Sequence, residues 1–285
     1  MQIIELFQLN PGIFYTFVVL VGLSVGSFLN VVIYRFPLML ENDWKSQCRE
    51  LLEIKDPNTE PVISLSKPAS TCPQCGHKIR AWENIPLLSY LFLRGKCSSC
   101  HTHISIQYPL IELLTAALSL AVALKFGVSW QTLFALILTW SLVAMSVIDI
   151  HKQILPDDIT LPVLWLGLLL GVFNIFIDPA SSIIGAIVGY MILWSVYQLF
   201  KLITGKEGMG YGDFKLLALF GAWFGWTFIP LIIILSSASG AIIGITMMMF
   251  NKQERNTPIP FGPYLAIAGW IAMMWGEQII SWYLG

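Results

Sequence analysis

The feature that most constrains this chain is a series of apolar runs, most of them long enough to cross a lipid bilayer as helices. A membrane-spanning helix needs about 20 predominantly apolar residues. Eight runs approach or reach this length, and they cover residues 12–34, 107–125, 130–148, 159–177, 181–202, 214–228, 230–250 and 262–283. Only 12% of the 285 residues are charged, and soluble domains carry about twice that fraction. We therefore predict an all-α polytopic membrane protein with about eight transmembrane helices.

The distribution of Lys and Arg predicts the orientation of these spans, because cytoplasmic loops carry an excess of basic residues. If the N-terminus lies outside, all of the 16 basic residues except Lys125 fall on one side, which we assign to the cytoplasm. Residues 1–34 contain no Lys or Arg, unlike the basic start of a cleaved signal peptide, so we expect the first run to be retained as a span. No charge pattern suggests nucleic-acid binding.

The one long polar segment, residues 36–106, contains all five cysteines, and four of them form a repeated pattern. They are arranged as Cys72-Pro73-Gln74-Cys75 and, 21 residues later, Cys97-Ser98-Ser99-Cys100. Two such C-x-x-C turns supply the four thiolates of a closed tetrahedral zinc site, which has no position left for a catalytic water. We therefore predict three regions: a first transmembrane helix (1–35), a cytoplasmic domain with a zinc module at 72–100 (36–106) and a transmembrane core (107–285).

Other uses of these cysteines are less favoured. Cytoplasmic thiols stay reduced, which argues against two disulfides. A thioredoxin-like redox role requires a βαβ context that the sequence lacks. The run Cys97 to His101 also fits the c-type haem attachment pattern, but it leaves Cys72 and Cys75 unexplained. Cys48 is interpreted as a lone thiol.

Two aspartates at the ends of apolar runs are the strongest candidates for chemistry. Asp149 ends the third run, where the helix dipole disfavours an anion. Asp213 follows Gly210-Tyr211-Gly212 and precedes the sixth run, so it is also a good N-cap. Asp157 or Asp158 is interpreted as the N-cap of the fourth run. Glu112, one turn inside the second run, fits a functional and a packing role about equally well.

Two carboxylates brought together at one membrane face predict hydrolysis of a peptide bond. Close carboxylates share one proton, so the ionised member activates water while the protonated member polarises the carbonyl. The alternative is a proton- or cation-coupled transporter, which also uses intramembrane carboxylates but would place them near mid-span. A zinc-bearing membrane scaffold without chemistry is a third class. The sequence has neither H-E-x-x-H nor G-x-S-x-G, the motifs of zinc proteases and serine hydrolases.

Together these motifs closely resemble those of the type IV prepilin leader peptidase/N-methyltransferases, in the same order along the chain. The matching stretches are Gly26-Ser27-Phe28-Leu29-Asn30 with Tyr34-Arg35, Cys72 to Cys75, Asn84-Ile85-Pro86-Leu87 with Ser89-Tyr90, Leu93-Arg94-Gly95, Cys97 to Cys100, Tyr108-Pro109 with Glu112, Asp149, Leu155-Pro156-Asp157 with Thr160, Gly210 to Asp213, and Pro260-Phe261-Gly262-Pro263. They extend from about residue 26 to about residue 265.

The resemblance implies a GxGD-type aspartic protease of the bacterial cytoplasmic membrane, with Asp149 and Asp213 as the catalytic residues and residues 107–285 as the peptidase core. Its substrates would be type IV prepilins and type II secretion pseudopilins, whose basic leader is cleaved after glycine. It also implies methylation of the new N-terminal residue with S-adenosylmethionine as the methyl donor. No Rossmann-type glycine fingerprint follows a strand, and we expect the donor site between the zinc module and the membrane face.

Overall fold

The computed structural model describes residues 2–54, 63–250 and 260–284, and this part of the chain is helical. It contains no β-strand, and its only bridges are two isolated ones in the cysteine module. The helices are α1 (Gln2–Leu9), α2 (Pro11–Leu51), α3 (Leu88–Phe92), α4 (Gln107–Phe126), α5 (Trp130–Lys152), α6 (Asp157–Val172), α7 (Pro179–Thr204), α8 (Tyr211–Phe224), α9 (Ile229–Phe250) and α10 (Gly262–Leu284). The predicted all-α class is confirmed.

Five helical segments of the described chain are long and apolar enough to cross a membrane. They are Pro11–Leu51, Gln107–Phe126, Trp130–Lys152, Pro179–Thr204 and Trp226–Thr246. The predicted count of eight spans stays a prediction. Helices α6 and α8 have only 16 and 14 residues, which gives lengths of about 24 and 21 Å. Both are shorter than the hydrocarbon core of about 30 Å.

The chain divides into two compact units, residues 1–128 and 129–285. In the first unit α2 does not end near residue 35 but continues through Pro37 to Leu51. Residues 36–51 of the predicted cytoplasmic domain are therefore helical and continuous with the first span. Helix α4, which the sequence groups with the transmembrane core, lies in the first unit.

Small residues let α2 and α4 pack closely. A Cβ atom on Gly26 would lie 2.7 Å from the Cα of Glu112, and one on Gly22 would lie 2.9 Å from the Cα of Ala116. Real Cβ atoms do not approach backbone so closely, so only glycine fits at either position. The Asn30 side chain adds a polar contact by donating to the backbone carbonyl of Tyr108 at 3.1 Å.

Helix α8 forms the centre of the second unit, where α6, α7 and α10 pack against it. Every residue from 216 to 224 is buried. Trp223 donates through Nε1 to the carbonyl of Val163 at 2.9 Å, and Ser182 donates to the carbonyl of Ala222 at 2.6 Å. These buried hydrogen bonds hold α8 in one register against α6 and α7, which positions the residues at its N-terminal end.

The starts of α6 and α8 correct two expectations about capping. Residue Pro156 occupies the N-cap of α6 without a side-chain cap, so neither following aspartate caps that helix. Asp157 instead accepts hydrogen bonds from the Lys215 ammonium on α8, with both carboxylate oxygens at 2.7 Å. The N-cap of α8 is Gly210, and Asp213 lies inside the first helical turn. Neither predicted cap is therefore observed.

Candidate active site and four-cysteine cluster

The second unit contains a cleft of about 440 Å³ at the ends of α5 and α8. Four segments form it: the last turn of α5, the connection to α6, the loop leading into α8, and the segment that precedes α10. The lining residues are Asp149, Gln153, Leu155, Glu207, Gly208, Met209, Gly210, Gly212, Asp213, Pro260 and Phe261. Both aspartates predicted from the sequence therefore lie on one cleft.

Asp149 is held in the last turn of α5. Its backbone carbonyl accepts the Gln153 N–H at 2.8 Å, and Gln153 ends the helix in the left-handed conformation, with φ 55°. The side chain is only 6% exposed, and its Oδ2 accepts the backbone N–H of Gly262 at 3.0 Å. A Cβ on Gly262 would lie 2.7 Å from that oxygen. The close approach to Asp149 therefore requires glycine at position 262.

Asp213 enters the cleft from the first turn of α8. It is 7% exposed, and a carboxylate in this turn is favoured by the positive end of the helix dipole. The glycines before it have different roles. A Cβ on Gly212 would lie 2.8 Å from the Cβ of Leu155, whereas one on Gly210 would meet nothing closer than 3.8 Å. Gly212 thus permits contact between α8 and the α5–α6 connection.

The two carboxylates line the same cleft. Both are more than nine-tenths buried, so little water screens one from the other. They come from opposite helix ends, the C-terminal end of α5 and the N-terminal end of α8. This arrangement provides two acidic groups with access to one cleft and a backbone N–H that fixes one of them.

Sequence reasoning missed the other residues that shape the cleft. Glu207 lies on the cleft wall and pairs with Lys201 of α7 at 2.8 Å. Gln153, Met209 and Phe261 also line the cleft. For Gln153, Glu207 and Met209 the only sequence signal was proximity to the two aspartates, whereas Phe261 belongs to the motif Pro260 to Pro263. The lining role of each residue depends on how the helix ends converge.

The four predicted cysteine ligands form one cluster in the first unit. Their sulfur atoms all lie within 4.8 Å of one another. The Cys72 and Cys100 sulfurs are 3.8 Å apart, and those of Cys75 and Cys97 are 4.0 Å apart. Tetrahedral zinc with Zn–S bonds of about 2.3 Å separates its sulfurs by about 3.8 Å. The cluster can therefore bind a metal ion, and its dimensions fit zinc.

The two cysteine turns have the same backbone structure, which the sequence did not reveal as a repeat. In each, the first cysteine N–H donates to the carbonyl five residues later, His77 or Thr102, at 2.9 Å. The residue after the second cysteine has positive φ, 70° at Gly76 and 58° at His101. Each turn is flanked by an isolated antiparallel bridge. Two equivalent turns thus present two thiols each to a shared centre.

Glu83 links the two turns through hydrogen bonds. Its carboxylate accepts the Arg80 N–H at 2.8 Å and the Ser98 hydroxyl at 2.6 Å, and it lies 3.2 Å from His77 Nε2. The Arg80 N–H, the Ser98 hydroxyl and His77 together lower the pKa of Glu83 to about 2. The side chain is therefore ionised at neutral pH. His77 belongs to the first turn and Ser98 to the second, so this carboxylate ties them together.

Glu112 of α4 has a clear structural partner. It is 8% exposed, and its Oε2 accepts the backbone N–H of Leu87 at 2.8 Å. Leu87 has a positive φ of 58°, a conformation that is uncommon for a branched side chain. The carboxylate therefore fastens the loop after the cysteine-module helix Ala81–Asn84 to α4, which supports the packing interpretation.

A helical membrane protein with two buried carboxylates on one cleft has the arrangement that membrane aspartic proteases need. Comparison with known families agrees with this class. Residues 20–126 match the profile of the bacterial peptidase A24 N-terminal domain, and residues 136–245 match that of the type IV leader peptidase family. The chain belongs to the type IV leader peptidase family.

Similarity to individual relatives extends over nearly the whole chain. A prepilin leader peptidase/N-methyltransferase of Stutzerimonas stutzeri is 56% identical over 281 residues, which is 99% of this chain and 97% of the relative. Proteins of the same name from Pseudomonas aeruginosa and Aeromonas hydrophila are 54% and 52% identical, with at least 98% of each chain covered. No solved structure gave a significant match. None of these matches supports the transporter alternative.

Proposed function

We propose that this chain is a prepilin leader peptidase in which Asp149 and Asp213 together catalyse hydrolysis of the scissile peptide bond. The observation that carries the proposal is that both buried carboxylates line one cleft although 63 intervening residues separate them in sequence. Membership of the family and the names of the relatives supply the reaction and its class of substrate, prepilins. Pseudopilins, which have the same kind of leader in the family, are proposed as further substrates.

The chemistry follows from the environment of the two aspartates. Two adjacent buried carboxylates do not both ionise readily, so the pair holds one proton between them. The ionised member takes a proton from a water molecule, which attacks the scissile carbonyl, while the protonated member donates a hydrogen bond to the carbonyl oxygen. A proton then passes to the leaving amine. The Gly262 N–H keeps Asp149 oriented during these steps.

The test is co-expression of the chain with a prepilin. We expect Asp149→Asn and Asp213→Asn each to lower conversion to the mature form by at least about a thousandfold, because neither amide can exchange a proton as the reaction requires. Asp158→Asn is the matched control, since Asp158 is exposed and does not line the cleft. Substantial cleavage by either cleft variant, at normal expression, would disprove the proposed dyad.

The chain also carries the N-methyltransferase activity that its relatives are named for, and we propose S-adenosylmethionine as the methyl donor. For the cysteine cluster we propose one structural zinc ion held by Cys72, Cys75, Cys97 and Cys100. A closed four-sulfur site stabilises the fold of a small module rather than activating water. We further propose that methylation depends on this module, with the donor bound between it and the membrane face.

We propose that the chain resides in the bacterial cytoplasmic membrane, with its N-terminus outside and with the cysteine module and both aspartates at the cytoplasmic side. The asymmetric distribution of basic residues supports this orientation. Residues 107–285 are proposed as the peptidase core. Impermeant thiol labelling in intact cells tests the topology. A single cysteine introduced at Leu9 should react, whereas one introduced at Glu50 should not, and the opposite result would reverse the orientation.

A further inference from the structure

The charge of the cleft indicates the kind of substrate group it accommodates. Three lining residues are carboxylic acids, Asp149, Asp213 and Glu207, and no described lining residue is basic. Two of the acids are assigned to catalysis, but Glu207 has no part in that chemistry. Its side chain is 68% exposed, so it can contact a substrate that enters the cleft.

Glu207 is nevertheless held in a defined position. The Lys201 ammonium donates to its Oε1 at 2.8 Å and lies 3.5 Å from the hydroxyl of the buried Tyr197. The next residue, Gly208, packs on α7, where a Cβ would lie 2.8 Å from the Phe200 ring. The carboxylate therefore belongs to a loop fastened to α7 on one side and to α8 on the other.

The contact with Lys201 shows that the Glu207 carboxylate binds a basic side chain. The hydrogen bond from the Lys201 ammonium lowers the pKa of Glu207 below its usual range, so the group is an anion at neutral pH. Both partners of the pair are largely exposed, 44% and 68%, and exposed ion pairs contribute little to stability. A second ammonium or guanidinium can therefore replace Lys201 at little cost.

We propose that Glu207 is a specificity-determining residue that binds a lysine or arginine side chain of the prepilin leader. In the absence of substrate Lys201 pairs with the Glu207 carboxylate. The cation of the leader replaces Lys201 there as the scissile bond enters the cleft. This inference rests on the proposed peptidase function and extends it to the recognition of substrate. The interaction forms before the reaction and persists through it, so it contributes to binding rather than to the chemical step.

The experiment measures cleavage of purified prepilins by the full-length chain in detergent. Each lysine or arginine of the leader is replaced in turn by glutamine and by glutamate. Each substrate is tested with the unaltered chain, Glu207→Gln and Glu207→Lys. Asp158→Asn serves as the control because it removes an equal charge from an exposed position outside the cleft. An N-acetylated leader is included to distinguish a side-chain cation from the α-amine.

We expect Glu207→Gln to raise KM about three- to fivefold for the basic leader with little change in kcat, as loss of one exposed ion pair does. For one of the neutralised leaders the same variant should change KM less than about twofold, because the partner is already gone. Glu207→Lys should prefer a leader with glutamate at that position. N-acetylation should leave these ratios unchanged.

Several outcomes would overturn the inference. One is an equal increase in KM for basic and neutralised leaders in Glu207→Gln. Another is no increase in KM for any leader, and a third is an increase that disappears when the leader is N-acetylated. In all three cases the proposed peptidase function stands if Asp149→Asn is still inactive. Full cleavage by Asp149→Asn would instead overturn the proposed function, and the assignment of Glu207 with it.

Discussion

Replacing Gly262 by alanine should disturb catalysis while leaving the fold intact, because it acts directly on Asp149. The new Cβ would lie 2.7 Å from Asp149 Oδ2 and 3.1 Å from Leu155 Cδ2. Ordinary van der Waals contact begins at 3.4 Å, so the carboxylate must move by about 0.7 Å, the difference between these distances. That movement lengthens the 3.0 Å hydrogen bond from the Gly262 N–H.

Two estimates of the loss of activity in Gly262→Ala agree. A hydrogen bond to a charged group contributes about 1.5–3 kcal/mol, which corresponds to about 10- to 150-fold in rate. Misplacing a catalytic group by about 1 Å can cost about a hundredfold. We therefore expect kcat/KM for prepilin cleavage to fall by about 10- to 100-fold in Gly262→Ala.

The assay is cleavage of purified prepilin by protein of matched thermal stability. Gly240→Ala provides the control, because a Cβ on that α9 glycine meets nothing closer than 3.4 Å. Activity of Gly262→Ala within about twofold of the unaltered chain, with the fold retained, would refute the reasoning. It would mean that the position of Asp149 does not depend on this contact.

Three further predictions concern the surroundings of the cleft and the cysteine cluster. Asp157→Ala or Lys215→Ala should lower cleavage no more than about fivefold, because this partly exposed ion pair contributes about 0–1 kcal/mol. Exchanging the two residues should restore activity. A hundredfold loss in either single variant would contradict this structural role. Elemental analysis should find one zinc per chain. Glu83→Gln should weaken zinc retention against a chelator about tenfold or more, because Glu83 ties the two cysteine turns together. Glu50→Gln, on the exposed end of α2, should leave zinc retention unchanged. Serine substitution of the four cysteines should reduce methylation of processed pilin more than its cleavage, as measured by mass spectrometry, and full methylation would argue against a role of the module in that step.

Much of the fold and part of the candidate site could be predicted from local sequence. The long apolar runs specify helices regardless of how they pack, and the structure contains a helix at each predicted run. The pattern Cys72 to Cys75 and Cys97 to Cys100 predicted a ligand cluster because the spacing within each turn already brings two sulfurs together. Helix ends were predicted less well, since α6 ends at Val172 rather than near residue 177, and α2 continues to Leu51 rather than ending near residue 34.

The sequence by itself determined the helical membrane class, the pairing of the cysteine turns and the identity of two unusual aspartates, because each depends on composition or on residues near one another in the chain. Only the tertiary structure decided that Asp149 and Asp213 share a cleft, that Gly262 contacts a residue 113 positions earlier, and that Glu207 lies on the cleft wall. The same holds for Asp157, which pairs with Lys215 instead of capping α6. The physical reason is that these contacts join different helix ends, and the positions of those ends follow from the packing around α8.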